Sequence, residues 1–310
     1  MLVRQLEYFV AVAHEQHFAR AAEACHVSQP ALSDGLRRLE TELGVPLIRR
    51  RHSFEGLTPE GERVVVWARR ILADYKALAA EVEILRGGLS GQLRIGVVPS
   101  ASTTVAPLLE QFSAAHPLVH TSVNTKLSTQ EIVRRLAAFE LDITLCYPFE
   151  EVKGLRQQGF YEETWVLLAS ESMLDEVPES MTWREAGTFP LASLDTSMHG
   201  LEAMDKAFEQ AGTDPDISVD TDSVASLFAL VHTGRWASVI PDRWVAASGA
   251  TTNLALVELT EPEVRTPIVM AYHDATPLNP LVQALITSLS SSGAPHRRRT
   301  RPTPRRNGEG

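Results

Sequence analysis

Cysteine is nearly absent. The 310 residues hold only Cys25 and Cys146, about 120 positions apart, so neither a disulfide framework nor a CxxC zinc pair is available. Long apolar runs are missing as well. None reaches the roughly 18–20 residues of a membrane helix, and the opening MLVRQLEYF turns amphipathic at once instead of forming a leader core. The chain is therefore expected in the cytoplasm, away from membranes. Catalytic signatures are lacking too: there is no G-x-S-x-G, no glycine-rich phosphate loop and no His/Asp/Glu set at metal spacing. No catalytic residue, cofactor or metal is expected. His14-Glu15-Gln16-His17 comes nearest to a metal motif, but its histidines stand three apart at a helix end, not four apart on one face.

What is present is globular and unevenly charged. With 44% apolar and 22% charged residues, the chain can bury cores, and its length suits two or three domains. The net charge of −10 hides a division along the sequence. Residues 1–90 carry 12 basic and 12 acidic side chains, residues 91–295 carry 11 and 26, and residues 296–310 carry 6 and 1. Positions 37–51 alone hold five arginines against two glutamates, and such a local field is what a phosphate backbone feels, because screening acts within about 10 Å.

Leu2, Leu6, Phe9, Val10 and Ala13 recur at helical spacing, and an alanine-rich second helix is expected from Phe18 to Cys25. Ser28 then caps a third helix with Pro30 in its first turn and Leu32, Leu36, Leu39 and Leu43 inward, ending at Gly44-Val45-Pro46. Two short helices joined by a tight turn form a helix-turn-helix, whose second helix offers its N-terminal side chains to base edges in the major groove of duplex DNA. Gln29 can pair with adenine, and Ser28 and Ser33 can reach bases or phosphates. Leu47–Arg51 and Phe54–Thr58 are expected to form a two-stranded wing with its arginines on the backbone.

The run FVAVAHEQHFARAAEACHVSQPALSDGLRRLETELGVPLIRR, followed by LTPEG, resembles the LysR-type transcriptional regulators over residues 1–90. That resemblance implies operator binding by Ser28, Gln29, Pro30, Ser33, Asp34, Arg37, Arg38, Arg49, Arg50, Arg51 and Thr58. The chain departs from the family pattern at Asp34-Gly35, where a basic or amide residue is common. An aspartate is repelled by phosphates but can accept from cytosine N4.

Thr58 and Pro59 start a further helix that meets no breaker before Gly87-Gly88. Val64, Ala68, Ile71, Tyr75, Leu78, Val82 and Leu85 alternate by four and three, a heptad seam. The seam can pack on its own chain or pair with a second copy, and pairing into a homodimer or homotetramer suits two half-sites on DNA.

From Gly91 onward, apolar strands alternate with helices, which indicates βαβ units and a parallel sheet. Ligands of such sheets sit at strand carboxyl ends. The candidates are Ser100, Ala101, Ser102 and Thr103 at the start of a helix expected over 102–116, Ser128 and Thr129 before the next, and Thr144 and Tyr147 at the end of the third strand. Hydroxyls and helical N–H groups in one crevice favour an anion, and a carboxylate is the expected effector. Ser, Thr and Asp at helix starts are more often caps than ligand contacts. Gln92-Leu93-Arg94-Ile95-Gly96, Leu141-Asp142-Ile143 and Gly234–Pro241 are similar to the effector-binding domain of the same family. The resemblance implies two periplasmic-binding-protein-like α/β lobes, the first from 91–161 and 267–290, the second from 162–266, with Thr196, His199 and Asp222 on the second-lobe side of the cleft. With a single cysteine in this region, a two-cysteine peroxide switch is excluded. A strand-end cysteine such as Cys146 reads as a small core residue or as a lone thiol sensor.

The final twenty residues, SSGAPHRRRTRPTPRRNGEG, lack apolar periodicity and are expected to be a disordered basic tail, either a solvated end or an arm adding DNA affinity. The expected division is a winged helix-turn-helix at 1–58, a linker helix at 59–88, an α/β effector domain at 91–290 and the tail at 291–310. A solute-binding protein of the periplasmic type shares the effector fold, but the DNA-reading head and the missing leader speak against it.

Overall fold

The computed structural model describes residues 1–50, 54–194, 202–248 and 252–291; the expectations placed on Arg51, Thr196, His199 and the tail beyond 291 lie outside these residues. The chain opens with α1 (Val3–Glu15), α2 (Phe18–Ala24) and α3 (Gln29–Leu43). Leu6, Phe9 and Val12 of the first helix, Ala21 and Ala22 of the second, and Leu32, Leu36 and Leu39 of the third form one core. Their spacing puts each set on one helical face, and each fully buried leucine or phenylalanine contributes about 1.5–3 kcal/mol. The small alanines let α2 approach closely. Gly35 serves the same purpose on α3, since a Cβ there would lie 2.6 Å from the Tyr8 ring. Gln16 takes a left-handed conformation (φ 51°), and His17 caps the next helix by accepting from the Arg20 amide. The two histidines of the apparent metal motif thus flank a chain reversal instead of sharing a face.

β1 (Ile48–Arg50) pairs antiparallel with β2 (Phe54–Leu57) as the wing. Thr58 caps α4 (Pro59–Leu85), accepting from Gly61 N at 2.9 Å and donating to Pro46 O at 2.7 Å. Gly61 lies so close to the wing that a Cβ would stand 2.1 Å from Leu47 O. Twenty-seven helical residues span about 40 Å at 1.5 Å each. Val65, Ala68 and Leu72 of α4 close the head's core, while Ala80 packs into the core of the unit that follows. Between these contacts, Arg69 pairs with Glu140 at 2.8 Å with both side chains largely covered.

That unit runs β3 (Ser90–Val97), a 3-10 turn (Pro99–Thr104), α5 (Val105–Ala115), β4 (Leu118–Asn124), α6 (Thr129–Ala137), β5 (Ile143–Cys146) and β6 (Leu155–Glu163). The chain then crosses to a second unit with β7 (Trp165–Ser170), β8 (Ser180–Thr182), α7 (Trp183–Ala186), β9 (Leu191–Leu194), α8 (Glu202–Ala211), β10 (Ile217–Thr221), α9 (Val224–His232), β11 (Ser238–Pro241), α10 (Arg243–Ser248) and β12 (Leu254–Thr260). It returns through β13 (Thr266–His273) and α11 (Pro280–Ser291). The first sheet has the order β4-β3-β5-β13-β6, with β3 parallel to both β4 and β5 and β13 antiparallel to β5 and β6. The second unit has a four-stranded sheet, β11-β7-β12-β8, and a parallel pair, β10-β9. Helices cover these sheets, which gives the α/β architecture expected from the alternating pattern, but the sheets are mixed where a parallel one was expected, because β13 and β7 run against their neighbours.

The helix expected over 102–116 is shorter than that. Residues 99–104 form a 3-10 turn and the α-helix starts only at Val105. Pro107 stands at the third α-helical position, where its missing N–H is tolerated.

Candidate functional site

β3 and β5 are parallel neighbours, so their carboxyl ends open at one edge, where β3 also divides the sheet between β4 and β5. At that edge lies a small cavity, partly open to solvent. The first unit contributes Pro99, Ser100 and Tyr147 to its wall. The second contributes Trp165, Leu194 and Leu227, the strand Val239–Pro241, and Trp244.

The polar groups of this wall are tied to one another. The Tyr147 hydroxyl donates to Ser100 Oγ at 2.7 Å. The Trp165 indole N–H donates to Thr266 Oγ1 at 3.0 Å, and the Trp244 indole N–H donates across the two units to the Ser100 carbonyl. Behind Ser100 sits Glu163, fully buried at the end of β6 and paired in register with Thr266. Tyr161 donates to its Oε1 at 3.2 Å, while Oε2 has no partner. Burial pushes the Glu163 carboxyl up to about 8, with Asp242 adding to the rise and the Tyr161 and Ser100 hydroxyls and Arg243 opposing it. The Arg243 guanidinium stacks over the Tyr161 ring at 4.2 Å. At neutral pH the wall behind Ser100 is thus a protonated acid.

Of the candidates read from the sequence, Ser100 and Tyr147 meet at the cavity. Ala101 is buried in the core of the first unit. Ser102 and Thr103 lie in the 3-10 turn, outside the lining. Ser128 caps α6 by accepting from Glu131 N at 3.2 Å, and Thr129 follows it with a buried, unpartnered hydroxyl. Thr144 is not a ligand contact: it is fully buried, donating to Ala271 O across the sheet. Asp222 is exposed and bound to Lys126 at 3.0 Å, an ion pair joining the two units. The tryptophans and Glu163 were missed because nothing in their local sequence marks them; one buried acid among the 26 acidic residues of 91–295 has no periodic signal. Cys146 is fully buried and its thiol is pushed up to about 12 by burial, eased by Thr144.

In the head, Ser28 caps α3, accepting from Ala31 N at 3.4 Å, and Gln29 and Pro30 stand exposed on its first turn. Ser33 is half-buried on the same helix, with Asp34 exposed beside it. Asp34 binds Arg37 at 2.9 Å, so one expected phosphate ligand is partly neutralised within the protein. Arg38 is exposed on α3, as is Arg49 on the wing strand that also holds Arg50. Thr58 leaves the set: its hydroxyl is buried and used as both donor and acceptor in the cap of α4.

Residues 3–62 match the bacterial regulatory helix-turn-helix protein, lysR family, and residues 86–294 match the LysR substrate binding domain. Curated relatives include the DNA-binding transcriptional dual regulator OxyR of Escherichia coli, 29% identical over 299 residues, covering 93% of this chain and 95% of that protein. The SDS degradation transcriptional activation protein of a Pseudomonas species is 32% identical over 268 residues, covering 83% and 84%. Among solved structures, a cysteine-to-aspartate variant of full-length OxyR from Pseudomonas aeruginosa is 25% identical with a TM-score of 0.74, covering 93% of this chain and 94% of that one. Full-length CbnR complexed with its target DNA has the same fold, at 23% identity and a TM-score of 0.65, covering 94% and 100%. These relatives are regulators, not enzymes. With the head and the larger unit both matched, the second match alone spanning more than half of the chain, the protein belongs to the LysR family of transcriptional regulators.

Proposed function

We propose that this regulator binds operator DNA in the cytoplasm as a homodimer or homotetramer, and that a small molecule held between its two α/β lobes shifts the arrangement of its DNA-binding heads. The observation that carries this reading is the pairing, in one chain, of an α3 with an exposed N-terminal turn and a cavity walled by both lobes. We divide the chain accordingly into a head at 1–58, a linker at 59–88, lobes at 91–161 with 267–290 and at 162–266, and a tail. An effector acts by binding one inter-lobe arrangement better than another, and the Trp244–Ser100 bond and the Lys126–Asp222 pair, each spanning the lobes, are contacts that such a shift remakes. No helix among the described residues is long and apolar enough to cross a membrane.

On DNA, Ser28, Gln29, Ser33 and Asp34 are our base-reading set, and Arg38, Arg49, Arg50 and Arg51 our phosphate set, with Arg37 shared with Asp34. Phosphate neutralisation makes affinity fall with salt at a slope of about −0.9 per contact on a log-log plot. Fluorescence anisotropy on the operator at several salt concentrations tests the assignment. Arg49→Ala should weaken binding to operator and to unrelated duplexes alike and flatten the slope by about one, whereas Gln29→Ala should relax sequence preference and leave the slope in place. The reverse pattern would exchange their roles.

Peroxide sensing, named for several relatives, is not carried over. The thiolate is the reactive species, and the single thiol of the larger unit, Cys146, is buried and held protonated. The carboxylate effector expected from the sequence rested on hydroxyls and helical N–H groups of residues 100–103, of 128–129 and of the end of the third strand gathering in one crevice. Only Ser100 of the run 100–103 reaches the cavity, and the turn there is 3-10. We therefore keep a small-molecule effector and take up its charge separately.

A further inference from the structure

We infer that the inter-lobe cavity takes an uncharged small molecule with a hydrocarbon body, not a carboxylate or an amine. This rests on the reading of the cavity as the effector site and specifies what fills it. Among the described residues, no lysine or arginine lines the wall, and its tyrosine and tryptophan donors are already used: Tyr147 by Ser100, the Trp165 indole by Thr266, and the Trp244 indole by the Ser100 carbonyl. An anion entering here would lose its water and either remain unpaired or break one of these bonds, and a buried unpaired charge is costly. Arg243, which precedes the wall residue Trp244, is stacked on Tyr161.

A cationic ligand fares no better. The acid behind the wall, Glu163, is screened by Ser100 and carries its proton at neutral pH, so it supplies no counter-charge. What the cavity does offer is two tryptophans, Leu194, Leu227, Val239 and Ile240. Such a surface rewards apolar area and tolerates one hydroxyl, since a hydrophobic pocket rejects an added OH only weakly.

The test uses three probes with one hydrocarbon chain: 1-hexanol, hexanoate and hexylamine, titrated calorimetrically at pH 7 into the full-length protein. Hexanol should bind at least about tenfold more tightly than either ion, and more tightly than 1-butanol by about fifteenfold, since each added buried CH₂ is worth about fourfold. Leu227→Trp, which fills the cavity, should abolish hexanol binding; Val239→Phe on β11 provides the same test if that variant folds poorly. Hexanoate binding as well as hexanol, or better, overturns the inference. If that binding is lost in His199→Ala, the acid's partner lies in the segment 195–201. Preferential hexylamine binding, or no binding of any probe at millimolar concentration, also overturns it. The effector reading is tested separately by footprinting on operator DNA. Hexanol binding that leaves the footprint unchanged removes the effector role and keeps the ligand class; hexanoate binding that changes the footprint does the opposite.

Discussion

Glu163 is fully buried where the chain leaves the first lobe, and its raised pKa ties stability to pH. Its folded pKa, near 8, lies above the unfolded value of about 4.3. Between these values the folded chain keeps a proton that the unfolded chain has released, so stability falls as pH rises, by up to roughly 1.4 kcal/mol per unit, and the fall ends near pH 8. Glu163→Gln keeps the shape and cannot ionise. Urea unfolding at pH 5, 7 and 9 should show it as the more stable protein at pH 9, with a flatter profile than wild type. Parallel profiles would mean that Glu163 titrates as an ordinary carboxyl. Residues differ in how much of their role could be read from sequence. Ser28 and Thr58 announce themselves as caps because a hydroxyl before Pro at the second or first helical position is a local signal. Ser100 and Tyr147 follow strands and were readable as strand-end groups. Trp165, Trp244 and Glu163 come to the site only through the crossing of two lobes, and a 3.6- or 2-residue period says nothing about that.

At the scale of elements, α4 shows how far periodicity carries. Its expected seam divides in two. Ala68 is buried against the head and Val64 packs beside it, while Ile71, Tyr75, Leu78, Val82 and Leu85 stand bare, Leu78 at 64% exposure and Leu85 at 82%. A stripe of that kind along about 20 Å of helix is a surface that a second copy can cover. Ile71→Glu with Leu78→Glu would place charges in that seam and should shift the protein from dimer or larger to monomer in sedimentation at micromolar concentration, with little change in far-UV circular dichroism. An unchanged sedimentation coefficient would assign self-association to another surface. The helix expected over 102–116 shows the opposite limit. Its hydroxyl-rich start suits a cap in sequence, yet the backbone winds as a 3-10 turn before Val105, because Ser and Thr side chains compete locally for backbone partners.

On the scale of the whole molecule, α4 is held at both ends, by the head's core and by Ala80 in the first lobe, and Arg69–Glu140 bridges the two. Burial lowers the Arg69 pKa while Glu140 supports it, so the arginine depends on its partner. A double-mutant cycle with Arg69→Met and Glu140→Gln should give a coupling of about 1–3 kcal/mol in denaturant unfolding. Near-zero coupling would mean that water serves the pair equally well. The two-lobe plan was readable from the alternation of strands and helices, but the place of the last strand was not. β6 is joined to its sheet by β13 alone, and β13 fills the gap between β5 and β6. On the ribosome, the first lobe must therefore wait with that gap open. The 110 residues from Glu163 to His273 take about 5–20 s to synthesise, and throughout that time β5 presents a bare apolar edge and β6 has no neighbour. The second lobe, whose six strands among the described residues all fall within 165–260, can complete itself in this interval. The nascent protein thus carries a folded insertion inside an unfinished host, a state in which an unpaired strand edge invites aggregation or a chaperone.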